Sequence, residues 1–126
     1  MKTNIILFIA LLGFAFNSCK DETTTPKPVV PVYVFPYAGD WTGTYAGDDQ
    51  GTVSIAIDSI GNLAGSAYSE NVMTTFTLSG TVDSSGNLTA ASASTGATFA
   101  GKLTPTTGSG TWVNNTISGT WSATKK

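Results

Sequence analysis

The sequence has no histidine, no arginine and only one cysteine among its 126 residues. Without histidine, the chain lacks the commonest general base and the commonest metal ligand of proteins. A single cysteine cannot form a disulfide within the chain. The lack of arginine and a net charge of −2 are the opposite of the basic surface that nucleic-acid binding requires. We therefore predict no enzyme activity, no metal or other cofactor, and no nucleic-acid partner.

The acidic side chains do not form an evident catalytic or metal-binding set. Catalysis of acyl or glycosyl transfer needs a nucleophile with a base, or two carboxylates held together. Asp48 and Asp49 share one turn, but the spaced oxygen ligands of a calcium loop are missing there, and we expect a solvated turn. All acids after the first 36 residues fall at predicted turns or strand ends: Asp40, Asp48, Asp49, Asp58, Glu70 and Asp83.

The first 18 residues have the layout of a secretory signal peptide. Lys2 makes the start positive, an apolar run of 12 residues covers 5–16, and the small residue Ser18 comes just before the cysteine. The run is shorter than the roughly 20 apolar residues of a membrane-spanning helix. We therefore predict a signal helix within residues 1–18 that is removed on export.

The only cysteine follows this signal directly. The stretch "FNSC" (16–19) resembles a bacterial lipobox, in which the chain is cut before the cysteine and lipid is attached to its sulfur. The next residues, Lys20, Asp21 and Glu22, resemble the export signal of surface lipoproteins in the Bacteroidota. The resemblance implies a palmitate-type lipid anchor at Cys19 in the outer membrane. It also implies display at the cell surface, with the periplasmic face as the alternative.

Residues 19–36 are predicted to be a tether between this lipid anchor and a domain. Proline fixes φ and lacks a backbone donor, so the segment is expected to run as a polyproline-II spacer of about 3.1 Å per residue. Its apolar end leaves an alternative, in which Val32, Val34 and Phe35 form an irregular first edge of the domain. Four of the five prolines lie here: Pro26, Pro28, Pro31 and Pro36.

Residues 37–126 alternate between apolar residues and threonine or serine, as in Val53, Ile55 and Ile57 with their polar neighbours. This period of two is typical of half-buried antiparallel strands, and short turns rich in glycine, asparagine and aspartate separate the strands. The pattern predicts an all-β domain, an eight-stranded antiparallel meander that forms a closed or partly closed barrel, with a β-sandwich as the alternative. The predicted strands are 40–46, 51–58, 62–69, 73–82, 87–93, 97–104, 110–113 and 117–124.

Two stretches of this domain repeat at an offset of 25 residues. "IDSIGNLAGSA" (57–67) and "VDSSGNLTAAS" (82–92) both read as strand, Asp-Ser turn, Gly-Asn and strand. We therefore predict two similar β-hairpins. The first copy also contains "DSI" (58–60), which resembles the site at which Bacteroidota O-glycosylate exported proteins, and this resemblance implies modification of Ser59.

The stretches "GDWTGTY" (39–45) and "GNLAGSAY" (61–68) resemble the opening of calycin-type barrels, the group of avidins and lipocalins. The resemblance implies a small-ligand site inside the barrel. Candidates to line such a cavity are Trp41, Tyr45, Trp112 and Trp121. The alternative is a filled core, because an eight-stranded barrel is just wide enough to be packed by side chains.

Three functions follow from these expectations. The first is a lipoprotein that displays a small barrel at the outer membrane, in contact with an unknown protein, glycan or small ligand. The second is a calycin-like small-ligand binder. The third is an envelope protease inhibitor, because small eight-stranded lipoproteins of that kind block enzymes with an N-terminal segment, here residues 29–37. An open interior would favour the second, and a packed interior would favour protein contact through loops such as 46–51 and 104–110.

Overall fold

The computed structural model of the chain describes residue 28 and residues 32–126. The predicted signal helix, Cys19 and the residues 20–22 lie outside the described part. Val32–Lys126 form one compact unit. No helix within the described residues is long and apolar enough to cross a membrane.

Eight antiparallel strands form one closed barrel in which each strand pairs with the next along the chain. The barrel closes because β8 pairs back to β1 through seven residue pairs, from Trp41–Lys125 to Gly47–Gly119. The predicted all-β meander is therefore confirmed as a barrel, and the sandwich alternative is excluded. The strands are β1 Gly39–Gly47, β2 Gly51–Ile57, β3 Asn62–Ser69, β4 Thr74–Val82, β5 Asn87–Ala93, β6 Thr98–Leu103, β7 Thr107–Asn114 and β8 Ile117–Lys125.

The predicted strand bounds are wrong mainly for β7, which begins at Thr107 and not at residue 110. The backbone N–H of Thr107 donates to Oγ1 of Thr104 at 3.0 Å, and the N–H of Thr104 donates to the carbonyl of Thr107 at 2.7 Å. These bonds reverse the chain within four residues, so the glycines that follow are free to pair with β6. The predicted loop 104–110 is therefore a tight turn.

Large side chains inside the barrel lie beside glycines on neighbouring strands. Trp121 pairs with Gly110, and Trp112 pairs with Gly119. A Cβ atom added at Gly119 would lie 2.6 Å from Nε1 of Trp112, and one added at Gly101 would lie 2.6 Å from the ring of Trp121. The inward glycines thus provide the space that the two indole rings occupy.

The eight strands give the barrel two ends. The N-terminal end holds the chain that leads into β1, the C-terminus and the β2–β3, β4–β5 and β6–β7 turns. The far end holds the β1–β2, β3–β4, β5–β6 and β7–β8 turns. The two loops predicted as contacts, 46–51 and 104–110, therefore lie at opposite ends and cannot form one surface.

Two aromatic side chains close the N-terminal end. Phe35 and Tyr37 are buried, and their rings meet edge to face with centroids 5.2 Å apart. Val32 and Val34 are exposed. Phe35 thus belongs to the core of the compact unit that begins at Val32, whereas Val32 and Val34 lie exposed ahead of it.

The repeated stretches fold into the same turn, as predicted. The carboxylate of Asp58 accepts hydrogen bonds from the backbone and side-chain nitrogens of Asn62, both at 2.9 Å. Asp83 accepts the equivalent bonds from Asn87 at 2.9 and 3.0 Å. Such bonds between an aspartate and the backbone a few residues on stabilise turns in general.

These two turns also support the aromatic pair. Gly61 and Gly86 take positive φ angles of 91° and 86° in the β2–β3 and β4–β5 turns. A Cβ atom at Gly61 would lie 3.2 Å from the ring of Phe35, and one at Gly86 would lie 2.9 Å from the ring of Tyr37. The glycine of each repeated turn therefore packs against one of the two aromatic rings.

Candidate functional site

The four residues predicted to line a ligand cavity all lie inside the barrel as tightly packed side chains. Trp41 has no exposed surface, and Tyr45, Trp112 and Trp121 are buried. Each indole N–H donates to a backbone carbonyl, at 2.9 Å for Trp41, 3.2 Å for Trp112 and 3.0 Å for Trp121. Their polar groups are therefore already satisfied by the barrel itself.

Little space remains between these side chains. A cavity of about 30 Å³ lies in the middle of the barrel beside Leu63, Phe99 and Trp121. A second, of about 40 Å³, lies under the far end beside Tyr45 and Trp112. Sites for drug-sized ligands measure roughly 300–1,000 Å³. The interior is thus packed, which is the condition that favours contact through the outside of the barrel.

A larger depression of about 420 Å³ lies on the outer wall, over β1, β2 and β3. Small side chains line it, including Ala56, Ala64 and Ser66, between Asp40 and Lys126 at its edge. It is a shallow part of the open surface, and its walls cannot bury most of a ligand as a binding pocket does.

A polar network centred on Asp49 closes the far end. The Tyr45 hydroxyl donates to Oδ2 of Asp49 at 3.1 Å, while the Ser69 hydroxyl and the backbone N–H of Gln50 donate to Oδ1, both at 2.8 Å. Ser69 has no exposed surface. The Tyr45 ring meets the ring of Trp112 edge to face at 5.7 Å. One carboxylate thus connects the packed interior to a surface turn.

Burial raises the pKa of Tyr45 from its usual 10.0 to about 12. The contact with Ser69 opposes this shift, whereas the hydrogen bond to Asp49 and the negative charge of that residue add to it. The hydroxyl is therefore neutral at physiological pH and is held as the donor in its bond to Asp49.

Further hydrogen bonds join the β1–β2 turn to the β3–β4 turn. The backbone N–H of Glu70 donates to the carbonyl of Gln50, and the Gln50 side-chain amide donates to Oε2 of Glu70, both at 2.9 Å. The Asn71 side chain donates to the carbonyl of Asp48 at 3.2 Å. The two turns consequently form one rigid unit at the far end.

Asp48 extends this unit to a third turn. Its Oδ2 accepts a hydrogen bond from the backbone N–H of Ser118, at the start of β8, at 2.9 Å. The prediction of a solvated turn holds for the exposed Asp48 and Gln50, whereas Asp49 is half-buried and accepts hydrogen bonds from the interior. The sequence signal that could have indicated this role is a carboxylate two residues before the glycine that opens β2.

The two most exposed apolar side chains of the far end lie on this rigid unit. Val72 and Met73, in the β3–β4 turn, are 62% and 80% exposed. Asp48, Asp49 and Glu70 lie at the same end of the barrel, whereas every lysine of residues 32–126 lies at the N-terminal end, namely Lys102, Lys125 and Lys126. The two ends therefore differ in charge as well as in closure.

The remaining predicted site residues lie elsewhere. Ser59 is exposed in the β2–β3 turn at the N-terminal end, beside the exposed Ile60. Its modification stays a prediction. Cys19, Lys20, Asp21 and Glu22 precede the described part. Within that part, no group of three or more acidic, histidine or cysteine side chains is placed to hold a metal ion.

No family model, no curated protein and no solved structure matches this chain. The resemblance to calycins therefore stays a prediction from two short motifs. Function has to be argued from the residues and geometry of the barrel itself.

Proposed function

We propose that this chain is an outer-membrane lipoprotein, anchored by lipid on Cys19, that displays its barrel for contact with a macromolecular partner. The observation that supports contact over small-ligand carriage is the packed interior, in which three indole N–H groups are bonded to the backbone. The rigid unit at the far end supplies an exposed surface that a partner could contact. The lipid anchor and tether raise the local concentration of this surface at the membrane.

Two measurements on whole cells test whether Cys19 carries lipid and whether the domain is exposed at the cell surface. Metabolic labelling with palmitate should mark the wild-type chain and not a Cys19→Ala variant. External protease should degrade the wild-type domain on intact cells and spare a variant in which Lys20, Asp21 and Glu22 are alanine. A label that persists in Cys19→Ala would contradict lipidation. A wild type that resists the protease would place the domain on the periplasmic face.

The predicted glycan on Ser59 has a matched control in the repeat. Ser84 occupies the equivalent place in the second Asp-Ser turn and is exposed like Ser59, but serine follows it where Ile60 follows Ser59. The intact mass of the exported protein should fall by one glycan in Ser59→Ala and stay unchanged in Ser84→Ala. Equal masses for wild type and Ser59→Ala would remove this modification from the proposal.

Protease inhibition remains a second candidate because part of the proposed inhibitory segment is exposed. Val32, Tyr33 and Val34 are 84%, 71% and 74% exposed, immediately before the ring of Phe35 that closes the barrel. Phe35 and Tyr37, at the end of the segment 29–37, are buried in the core and are not accessible to a protease. Envelope protease activity should rise when residues 29–34 are deleted, and unchanged activity would eliminate this function.

A further inference from the structure

The β3–β4 turn, Glu70 to Met73, differs from the other turns in the residue that it places at a strained position. Three other turns use glycine where φ is positive, namely Gly61, Gly86 and Gly96, and the β7–β8 turn uses Asn115. Met73 has a φ of 52° in the β3–β4 turn. Glycine and asparagine adopt this conformation readily, whereas a long side chain such as methionine is strained there.

Burial does not compensate this strain. The Met73 side chain is 80% exposed, so it gains little from burial in the core. Strained residues that persist in exposed places concentrate at ligand-contacting and switching sites. A position that breaks the local rule obeyed by the equivalent turns is therefore a candidate for selection by function and not by folding.

The turn is also held in one conformation before any partner arrives. The backbone N–H of Val72 donates to Oγ of Ser69 at 3.3 Å, and the Thr74 hydroxyl donates to the carbonyl of Val72 at 3.0 Å. Together with the bonds from Glu70 and Asn71 to the β1–β2 turn, these contacts fix the loop at both ends. A preorganised loop loses less conformational entropy on binding, and a soft methionine adapts to the shape of an apolar pocket.

We propose that Val72 and Met73 form a preorganised apolar knob that inserts into an apolar pocket with a lysine- or arginine-rich rim on a partner protein. The cationic rim follows from charge complementarity, because Asp48, Asp49 and Glu70 lie in the two joined turns at this end and no lysine of residues 32–126 lies there. This inference rests on the proposed function, for which it names the contacting surface and the chemistry of the partner.

The first test measures the strain. The protein for this test comprises residues 19–126 and carries Cys19→Ser, so that no lipid is attached. In this background, Met73→Asn should raise the Tm by roughly 4–8 °C. The reciprocal variant Asn115→Met places methionine at the positive-φ position of the β7–β8 turn and should lower the Tm. A Met73→Asn variant with an unchanged or lower Tm would show that the residue is not strained and would overturn the inference.

The second test measures binding with a defined probe, a short amphipathic peptide of leucine and lysine that offers an apolar face with a cationic rim. Backbone NMR shifts should concentrate at residues 70–74, and a matched leucine–glutamate peptide should give none. Met73→Asn should weaken binding at least about tenfold. Ile60→Asn is the matched control, because Ile60 is 79% exposed in a turn at the opposite end, and it should leave binding unchanged.

The charge of the rim is tested separately with Glu70→Gln, which keeps an oxygen for the bond from Gln50 and removes the charge. This variant should bind the leucine–lysine peptide more weakly and with less dependence on salt. Shifts at the N-terminal end, equal losses in Ile60→Asn and Met73→Asn, or equal binding of both peptides would overturn the inference. Self-association that Met73→Asn abolishes would make a second copy of this chain the occupant, and would overturn it as well.

Failure here is distinguishable from failure of the proposed function. Palmitate labelling and external proteolysis report on the anchor and its side of the membrane, and neither depends on Met73. A lipidated, exposed chain with an inert knob would leave the display function in place with another contact surface.

Discussion

Different interactions close the two ends of the barrel. At the N-terminal end, the rings of Phe35 and Tyr37 cover the core and rest on the glycines of two repeated turns. At the far end, one carboxylate, Asp49, gathers hydrogen bonds from the interior and from the surface. The first closure uses apolar burial, which has no strict direction, and the second uses hydrogen bonds of fixed geometry.

Because of this difference, the N-terminal end mainly stabilises the fold, whereas the far end can present side chains to a partner. The rings of the incoming chain bury apolar surface over two turns that have glycine at their positive-φ positions, where any Cβ would crowd the rings. The hydrogen-bonded closure fixes the backbone of three turns, and their side chains are then free to point into solvent. The far end can therefore expose Val72 and Met73 in a defined geometry, whereas the exposed residues Val32, Tyr33 and Val34 at the other end lie in no strand.

We expect the largest loss of stability when one of the two aromatic rings that close the N-terminal end is removed. Phe35→Ala should lower the free energy of unfolding by about 3–5 kcal/mol, because it removes a buried ring and leaves a cavity over Gly61. Val34→Ala, one residue earlier and exposed, should change it by less than about 0.5 kcal/mol. Urea unfolding followed by tryptophan fluorescence measures both. Similar values for the two variants would mean that the ring does not close the barrel.

A smaller loss is expected from breaking the polar closure. Asp49→Ala leaves the buried Ser69 hydroxyl and the Tyr45 hydroxyl without their acceptor, which should destabilise the fold by about 1–3 kcal/mol. Asp49→Asn keeps one carbonyl oxygen as an acceptor and should lose less. Urea unfolding measures the free energy of unfolding of both variants. If Asp49→Ala and Asp49→Asn lose the same amount, the hydrogen bonds to this side chain do not stabilise the closure.

The polar closure should also weaken in alkali. The pKa of Tyr45 is raised in the folded barrel to about 12, above its usual value of 10.0, so its neutral form is favoured by folding. The resulting stability is fully present below pH 10 and is lost as the pH rises through about 12. Tyr45→Phe should remove this slope, and Tyr68→Phe, on the outer wall, should keep it. A slope that survives in Tyr45→Phe would have another origin.

The sequence predicts this fold well because its signals are local. Period-two alternation and the Asp-Ser and Gly-Asn turns define strands that pair with their neighbours in the chain, so Val53, Ile55 and Ile57 point inward as expected. The closure of β8 on β1 was not predictable from these local signals, because it depends on pairing between the first and the last strand of the domain, from Trp41–Lys125 to Gly47–Gly119. The error at β7 arose because threonine and glycine serve both turns and strands, and only the bonds within Thr104–Thr107 separate the two.

The candidate site is less predictable because its contacts are distant in sequence. Asp49 meets Ser69, 20 residues later, and Asp48 meets Ser118, 70 residues later. Neither partner carries a motif. The positive φ of Met73 is equally invisible in the sequence, since a methionine between Val72 and Thr74 is typical of the start of a strand, as in the predicted strand 73–82.

The smallest effect is expected from the two repeated turns, and it tests whether they are equivalent. Hydrogen bonds from Asn62 lower the pKa of Asp58, and those from Asn87 lower the pKa of Asp83. Because folding favours the charged form, each turn contributes stability above the usual aspartate pKa of 3.8, and this stability is lost as the pH falls through the lowered folded value. Asp58→Asn and Asp83→Asn should therefore flatten the acid side of the stability profile by similar amounts.

One neighbour distinguishes the two turns and provides the sharper measurement. Lys102 also lowers the pKa of Asp83, and no lysine contributes at Asp58. In an NMR titration of the carboxyl carbons, Lys102→Gln should therefore raise the pKa of Asp83 slightly and leave that of Asp58 unchanged, and added salt should have the same selective effect. If both carboxyls respond alike, Lys102 acts through long-range charge and is not a specific neighbour of Asp83.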